Sequence, residues 1–183
     1  MPWYVLQTRT GDEERLVEMI HKVIPENLYE ECFVIYHEQL WRRQKENFIQ
    51  VKQAFPGYVF IACREPEALF FCLKQLPMMA KMIADDTSSF LSLESEEAVF
   101  LAQIMDERHI IRLSYLETDG DGKILQVAGP LASCVSQIAC CKFGKRYVLV
   151  RLRLLGKEKE VLLGIILKED IEKGGKYLCN GFL

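Results

Sequence analysis

A short aromatic and β-branched run that follows a proline and a glycine constrains this chain most. Residues 55–61 read Phe-Pro-Gly-Tyr-Val-Phe-Ile. Proline fixes φ and glycine permits a tight turn, so the pair marks the point where a β-strand begins. Because strand residues alternate between faces, Tyr58 and Phe60 share one side of this strand. The strand is therefore either covered on both faces, as central strands often are, or it offers an aromatic groove to a partner helix.

The length and composition are those of a protein with a substantial core. The chain has 183 residues, of which 50% are hydrophobic, enough for one domain or two small ones. No apolar run approaches the roughly 20 residues that span a bilayer, and the N-terminus lacks the order of a signal peptide. We expect a cytoplasmic protein without membrane contact.

The cysteines indicate packing rather than chemistry. There are seven, with no CxxC pair and no histidine at ligand spacing. Because a zinc or thioredoxin-like site requires such spacing, we expect small buried side chains in a reducing compartment. The sequence predicts no metal and no cofactor.

Charge is distributed unevenly along the chain. Residues 1–106 carry 10 basic and 17 acidic side chains, whereas residues 107–183 carry 13 and 9. The C-terminal part is therefore the better candidate to meet a polyanion.

The N-terminal part alternates strand and helix patterns. Strand patterns occupy residues 3–8, 32–36 and 58–61, and a hairpin pattern covers 38–53 around a polar turn at 45–47. Helix patterns follow Gly11, Pro66 and Ser95, the last with an apolar stripe of Val99, Leu101 and Ile104. This order predicts an α+β fold, in which helices pack on an antiparallel sheet, that ends near residue 106.

From residue 107 the pattern changes to short strands. A polar turn at residues 118–122 precedes strand-length runs at 124–127, 134–141, 147–154 and 160–166, which glycine-containing turns separate. Four or five short strands within about 60 residues predict a small β-barrel.

Both parts together resemble the NusG family of transcription elongation factors. Residues 3–8 (WYVLQT) with Gly11 and Glu14, and residues 55–60 (FPGYVF), resemble the N-terminal (NGN) domain of that family. Residues 120–170 resemble its KOW domain through 127–131 (VAGPL), Ile138, 146–155 and Gly156. The resemblance implies an RNA polymerase-binding domain at 1–106, a linker at 107–119 and a KOW β-barrel at 120–183. It is strongest to specialised paralogs of the LoaP type, which are transcription antiterminators.

The resemblance also implies a partner for the aromatic strand. In the family, the N-terminal domain binds the β′ clamp helices of RNA polymerase through a hydrophobic groove, and Phe55, Tyr58 and Phe60 match groove positions. The groove interpretation is therefore preferred over the doubly buried strand. Some specialised members contact the β-subunit gate loop through His-Thr-Thr. Residues 70–72 read Phe-Phe-Cys here, so that contact is not expected.

Basic residues of the C-terminal part predict contact with RNA. On the predicted strand 147–154, one face is apolar and the other carries Tyr147, Arg151 and Arg153. Such charge beside an aromatic ring is typical of RNA recognition, although a solvated barrel face has similar composition. The candidates for nucleic-acid binding are Lys142, Lys145, Arg146, Tyr147, Arg151, Arg153 and Lys157. LoaP-like factors are associated with a structured leader RNA, so the resemblance favours a nascent RNA hairpin as partner.

A second basic patch lies on the predicted hairpin beside Trp41. Its members are Arg42, Arg43, Lys45 and Lys52. It could contact upstream DNA or a nascent RNA hairpin, or it could be the solubilising charge common at hairpin tips.

The sequence argues against an enzyme. His21, His37 and His109 lie in separate elements without a partner at catalytic spacing, and no phosphate loop or GxSxG motif occurs. We therefore expect a monomeric, non-enzymatic protein, and the resemblance implies a regulator that binds RNA polymerase and suppresses pausing and termination. The alternatives are a general NusG-type elongation factor without specific RNA recognition and a ribosome-associated KOW protein.

Overall fold

A computed structural model describes residues 1–43, 46–76, 81–83, 90–172 and 177–180, with side chains except at 42, 43, 46 and 177–180. The chain forms two compact units. Unit 1 comprises Met1–Ile35, Phe55–Phe100 and Leu154–Lys157, and unit 2 comprises Tyr36–Ala54, Leu101–Arg153 and Glu158–Leu183. The predicted hairpin thus belongs to unit 2, together with most of the C-terminal part. Within the described ranges, no helix is long and apolar enough to cross a membrane.

Thirteen strands and four α-helices are described. The strands are β1 (Trp3–Gln7), β2 (Glu31–Phe33), β3 (Tyr36–Arg43), β4 (Glu46–Gln53), β5 (Tyr58–Ala62), β6 (Lys81–Met82), β7 (Ile110–Ile111), β8 (Ser114–Thr118), β9 (Ile124–Ala128), β10 (Ile138–Lys142), β11 (Tyr147–Leu154), β12 (Lys157–Leu167) and β13 (Tyr177–Asn180). The helices are α1 (Glu13–Val23), α2 (Pro66–Leu73), α3 (Ser95–Ile104) and α4 (Lys168–Glu172). The fold is therefore mixed α+β, as predicted.

Unit 1 is built around an antiparallel four-stranded sheet in the order β2-β5-β1-β6. The central pair β1 and β5 runs in register from Trp3 opposite Ala62 to Gln7 opposite Tyr58. Helix α1 begins with an acidic first turn, which suits the helix dipole, and it buries Leu16 completely. The strand that follows the proline and glycine is thus central to the sheet.

Strand β5 is buried on both faces over most of its length. Val59, Phe60, Ile61 and Ala62 are all buried, and Phe60 has no exposed surface. Tyr58, at the strand start, is partly exposed. The expectation of an open aromatic face was therefore wrong for Phe60, because its ring is covered by Phe33 of the paired strand β2 and by Phe55, contacts that the local pattern does not reveal.

Unit 2 contains two sheets. One has five strands in the order β10-β11-β12-β8-β9, and the other has four in the order β13-β4-β3-β7. The prediction for β11 is confirmed: Val148, Val150, Leu152 and Leu154 are buried, whereas Arg151 and Arg153 are exposed. Alternation is reliable here because one side of the strand packs and the other meets water.

Two predicted segments differ in the structure. Residues 110–118, inside the predicted linker, form β7 and β8, and β8 pairs with β9 and β12. Residues 130–137 form a 3-10 helix rather than the first part of a strand. Pro130 fixes a helical φ at its start, and the Ser114 hydroxyl accepts the N–H of Leu131 at 2.9 Å.

Helix α3 also differs in its buried face. Val99 was expected to pack, yet it is 66% exposed. The inward position belongs to Glu97, whose carboxylate accepts the N–H groups of Leu155 and Gly156 at 3.1 and 3.0 Å. Leu155 and Gly156 both have positive φ, which is typical of a tight turn. The Glu97 carboxylate stabilises this turn by accepting its two backbone N–H groups.

Candidate functional site

The turn before β5 is fixed by a buried carboxylate. Glu13, at the start of α1, accepts the N–H of Gly57 at 2.5 Å and that of Gly11 at 2.7 Å. Gly57 has a φ of 82°, and a Cβ there would lie 3.2 Å from the carbonyl oxygen of Thr8. Tyr58 therefore leaves the turn from a defined position.

An aromatic cluster forms around β5 and consists of Trp3, Phe33, Phe55 and Phe60. Phe60 stacks on Phe33 with ring centroids 5.8 Å apart and meets the edge of Phe55 at 5.6 Å. Trp3 packs edge-on against Phe33 at 5.1 Å. Such ring pairs favour offset or edge-to-face geometry and stiffen the surface above them.

The three residues predicted to bind polymerase therefore occupy two levels. Tyr58 is partly exposed, whereas Phe55 and Phe60 are 5% and 0% exposed. Sequence reasoning missed Phe33, which joins the cluster because β2 pairs with β5 in a register that sets Phe33 opposite Phe60. Local alternation carries no signal for that pairing.

The outer face of β11 carries the predicted basic surface of unit 2. Lys142, Lys145, Arg151 and Arg153 are exposed, and Tyr147 is partly exposed. Arg151 lies 3.7 Å from Glu160, but both side chains are more than half exposed, so water screens the pair. Lys157 is also exposed, on the part of the chain that belongs to unit 1.

Arg146 departs from the prediction because it is buried. Only 3% of it is exposed, and its Nε and Nη2 donate to the two oxygens of Asp170 at 2.6 and 2.8 Å. Nη2 also donates to Glu169 at 2.5 Å, and Nη1 donates to the carbonyl of Phe143. Although burial opposes the charge, these acidic partners raise the pKa of the Arg146 guanidinium. Arg146 thus forms a buried ion pair with Asp170, whereas the sequence predicted an exposed cation.

The hairpin patch is described in part. The side chains of Arg42 and Arg43, and the whole of Lys45, lie outside the described residues. Lys52 is exposed, its Nζ lies 4.9 Å from the centroid of the Trp41 ring, and it donates to Oε1 of Gln39 at 3.1 Å. Trp41 itself remains 46% exposed.

A cleft in unit 2 is lined both by Trp41, which neighbours the hairpin patch, and by members of the predicted basic surface around Tyr147. It has a volume of about 430 Å³. Its lining consists of Gln39, Leu40, Trp41, Gly144, Lys145, Arg146 and Tyr147. Sequence analysis treated Trp41 and Tyr147 as features of separate surfaces, because no local signal joins residues so far apart in the chain.

Burial shifts the pKa of several other titratable groups. Burial lowers the pKa of His37, while the thiol pKa values of Cys63 and Cys134 rise to about 11 for the same reason. Within the described part of the chain, no group of three histidine, cysteine or acidic side chains could hold a metal ion.

Comparisons with known proteins agree with this architecture. Residues 1–101 match the family model described as transcription termination factor NusG. No curated protein matches the sequence significantly. The structure of NusG from Thermotoga maritima, solved to study its domain interaction, is similar with a TM-score of 0.53 and 15% identity. The similarity covers 89% of this chain and 93% of that one, and at such identity it concerns the fold alone.

Proposed function

Because the chain belongs to the NusG family of transcription factors, we propose that it is a specialised elongation and antitermination factor. The match over residues 1–101 supports the part of this proposal that family membership implies, which is interaction with RNA polymerase. In the proposal, residues 1–106 are the polymerase-binding NGN domain and residues 120–183 the KOW domain. The protein works as a monomer beside the polymerase in the cytoplasm and carries out no catalysis.

The proposed polymerase contact centres on Tyr58. Tyr58 is partly exposed, and two positions along the same strand Phe60 stacks on Phe33 and meets the edge of Phe55. Aromatic anchors on a rigid support lose little entropy on binding, which favours a helix-in-groove contact. Tyr58 therefore touches the β′ clamp helices, and Phe55 and Phe60 stiffen the strand that carries it. Better affinity for the processive than for the paused polymerase would suppress pausing.

The polymerase contact can be tested with matched tyrosine variants. Tyr58→Ala should weaken binding to purified RNA polymerase by about tenfold or more, the loss typical of an interface anchor. Tyr29, which is also partly exposed in unit 1, provides the control, and Tyr29→Ala should bind normally. Equal binding of both variants would contradict a contact at Tyr58.

The proposed RNA contact uses the outer face of β11 and its neighbours. Lys142, Lys145, Arg151 and Arg153 project exposed charge around Tyr147. Phosphate contacts from lysine and arginine supply affinity, and an aromatic ring adds base stacking. On the hairpin, Lys52 beside Trp41 extends the same chemistry. A structured nascent RNA would thus recruit the factor to chosen operons.

Transcription in vitro distinguishes the specialised factor from a general one. We expect greater terminator read-through only when a recognised RNA hairpin precedes the terminator. The companion measurement is binding to that hairpin and to an unrelated one across a salt series, because specific recognition survives added salt better than phosphate contact alone. Equal read-through on both templates, with equal salt-sensitive binding, would leave a general elongation factor.

A further inference from the structure

We infer that the cleft between Trp41 and Tyr147 binds an unpaired nucleobase of an RNA strand. This inference rests on the proposed function, since it assigns a specific pocket to the RNA. It extends the basic surface by naming where a base, rather than a phosphate, is held. The cleft volume of about 430 Å³ lies within the range of roughly 300–1,000 Å³ typical of small-ligand sites.

Two aromatic rings give the cleft a surface for stacking. The Nζ of Lys52 lies 4.9 Å from the centroid of the Trp41 ring. Trp41 nevertheless remains 46% exposed, so part of its surface is open to a ligand. Tyr147 also lines the cleft and is partly exposed. Every nucleobase has a π-face, and proteins that bind unpaired bases stack them on such side chains. A base-paired nucleotide could not enter, because its faces are already stacked in a helix.

Two lysine side chains at the cleft could pair with the phosphates that flank a bound nucleotide. Lys145 lines the cleft and is exposed, and Lys52 is exposed beside Trp41. The charge of Arg146 is neutralised by Asp170. Among the lining residues 144–147, the positive charge available to a phosphate is therefore that of Lys145. None of the described lining residues carries a carboxylate, which would repel a polyanion.

Polar and apolar groups beside the rings suit a heterocycle. Gln39 lines the cleft, and its Oε1 accepts a hydrogen bond from Lys52, which orients the amide. Glutamine amides pair with the polar edges of bases, whereas Leu40 adds an apolar contact. A nucleobase presents both a flat apolar face and a polar edge, so the lining matches it better than it matches an aliphatic ligand.

The cleft is held in shape before any ligand arrives. Arg146 anchors the wall at residues 143–146 through Asp170 and the Phe143 carbonyl. Among the lining residues from β3, Gln39 and the Trp41 ring are linked by Lys52. A preformed site loses less conformational entropy on binding than a flexible one.

Tryptophan fluorescence provides a direct test. The chain has two tryptophans, so in a Trp3→Phe background Trp41 is the sole tryptophan, and selective excitation of tryptophan reports on it alone. The probes are an RNA hairpin with an unpaired loop, the same stem closed as a blunt duplex, and a DNA hairpin of the same sequence. We expect the RNA loop to quench Trp41 emission saturably, the duplex to quench little, and the DNA loop to bind more weakly.

Variants then separate stacking from folding. With a labelled RNA loop as the reporter, since substitution of Trp41 removes its own signal, Trp41→Ala and Tyr147→Ala should each weaken binding by about tenfold, as removal of a stacking ring does, whereas Trp41→Phe should retain most of the affinity. Phe71→Ala is the control, because Phe71 is 64% exposed and lies outside the cleft. Circular dichroism checks that each variant is folded.

The failing outcomes are distinct. Tight RNA binding without quenching, and with unchanged affinity in Trp41→Ala, would overturn the cleft while leaving the RNA-recruited factor intact. Equal binding of RNA and DNA loops would overturn the assignment to RNA. No RNA binding by a protein that still binds polymerase would overturn both the cleft and the recruitment by RNA.

Discussion

The Glu13 carboxylate accepts the backbone N–H of Gly57 at 2.5 Å, which ties the first turn of α1 to the turn that begins β5. Gly57 adopts a positive φ, and its carbonyl accepts the N–H of Thr8 at 2.9 Å. One buried acidic side chain therefore fixes the backbone from which Tyr58 projects. Its loss should alter both stability and the presentation of Tyr58.

Replacement of Glu13 tests that link. Glu13→Ala leaves the N–H groups of Gly57 and Gly11 without this carboxylate and should cost about 1.5–3 kcal/mol in the free energy of unfolding. Glu13→Gln, which retains one acceptor, should lose less. Urea denaturation provides the measurement. Glu14→Ala, in the same first turn but exposed, is the control, and an equal loss there would argue against a special role for Glu13.

Removal of the charge on Asp170 should destabilise unit 2 strongly. Asp170 is 1% exposed, binds the buried Arg146 guanidinium and accepts the N–H of Leu167 at 2.9 Å. Asp170→Asn leaves a buried cation poorly compensated, so we expect a loss of about 3–5 kcal/mol in unfolding free energy. Arg151→Gln, which breaks the exposed pair with Glu160, should change little. Similar effects of both substitutions would contradict this account.

His37 should make stability fall in weakly acidic solution. Burial lowers the pKa of His37 in the folded protein below the ordinary value near 6.5. Below pH 6.5 the imidazole is therefore protonated more readily in the unfolded chain than in the folded protein. The stabilisation is complete above pH 6.5 and is lost as pH falls toward the folded pKa, by at most about 1.4 kcal/mol per pH unit.

His37→Gln removes that titration and should flatten the dependence of unfolding free energy on pH between 7.5 and 5.5. His21→Gln provides the control because His21 is exposed. If His37→Gln retained the full pH dependence of the unsubstituted protein, another group would be responsible.

A methyl group at Gly164 should disrupt the contact between β12 and β3. A Cβ there would overlap the carbonyl oxygen of Glu38 and come within 2.8 Å of Cδ2 of Leu113. Because the first of these is backbone, Gly164→Ala should cost about 1–3 kcal/mol, as overpacking does. Thermal unfolding measures the loss. Gly120→Ala meets nothing within 4 Å and should leave the melting temperature nearly unchanged.

Several elements could be predicted from sequence because their signals are local. The alternation in residues 147–154 is the burial pattern of β11, and Pro66 and Ser95 are the first residues of α2 and α3. Each signal depends on side chains within a few positions along the chain, which is the range over which strand and helix geometry repeats.

The tertiary structure determined which individual side chains are buried and which residues they contact. Phe60 lies in a pattern typical of a groove, yet Phe33 covers its ring. Arg146 lies in a pattern typical of a basic surface, yet Asp170 neutralises its charge. The proximity of Trp41 to Tyr147 has the same origin. The sequence by itself determined the order and type of the main elements, because these follow from local periodicity. Which side chains reach solvent and which meet across the fold was decided by strand pairing between distant segments, which leaves no local trace.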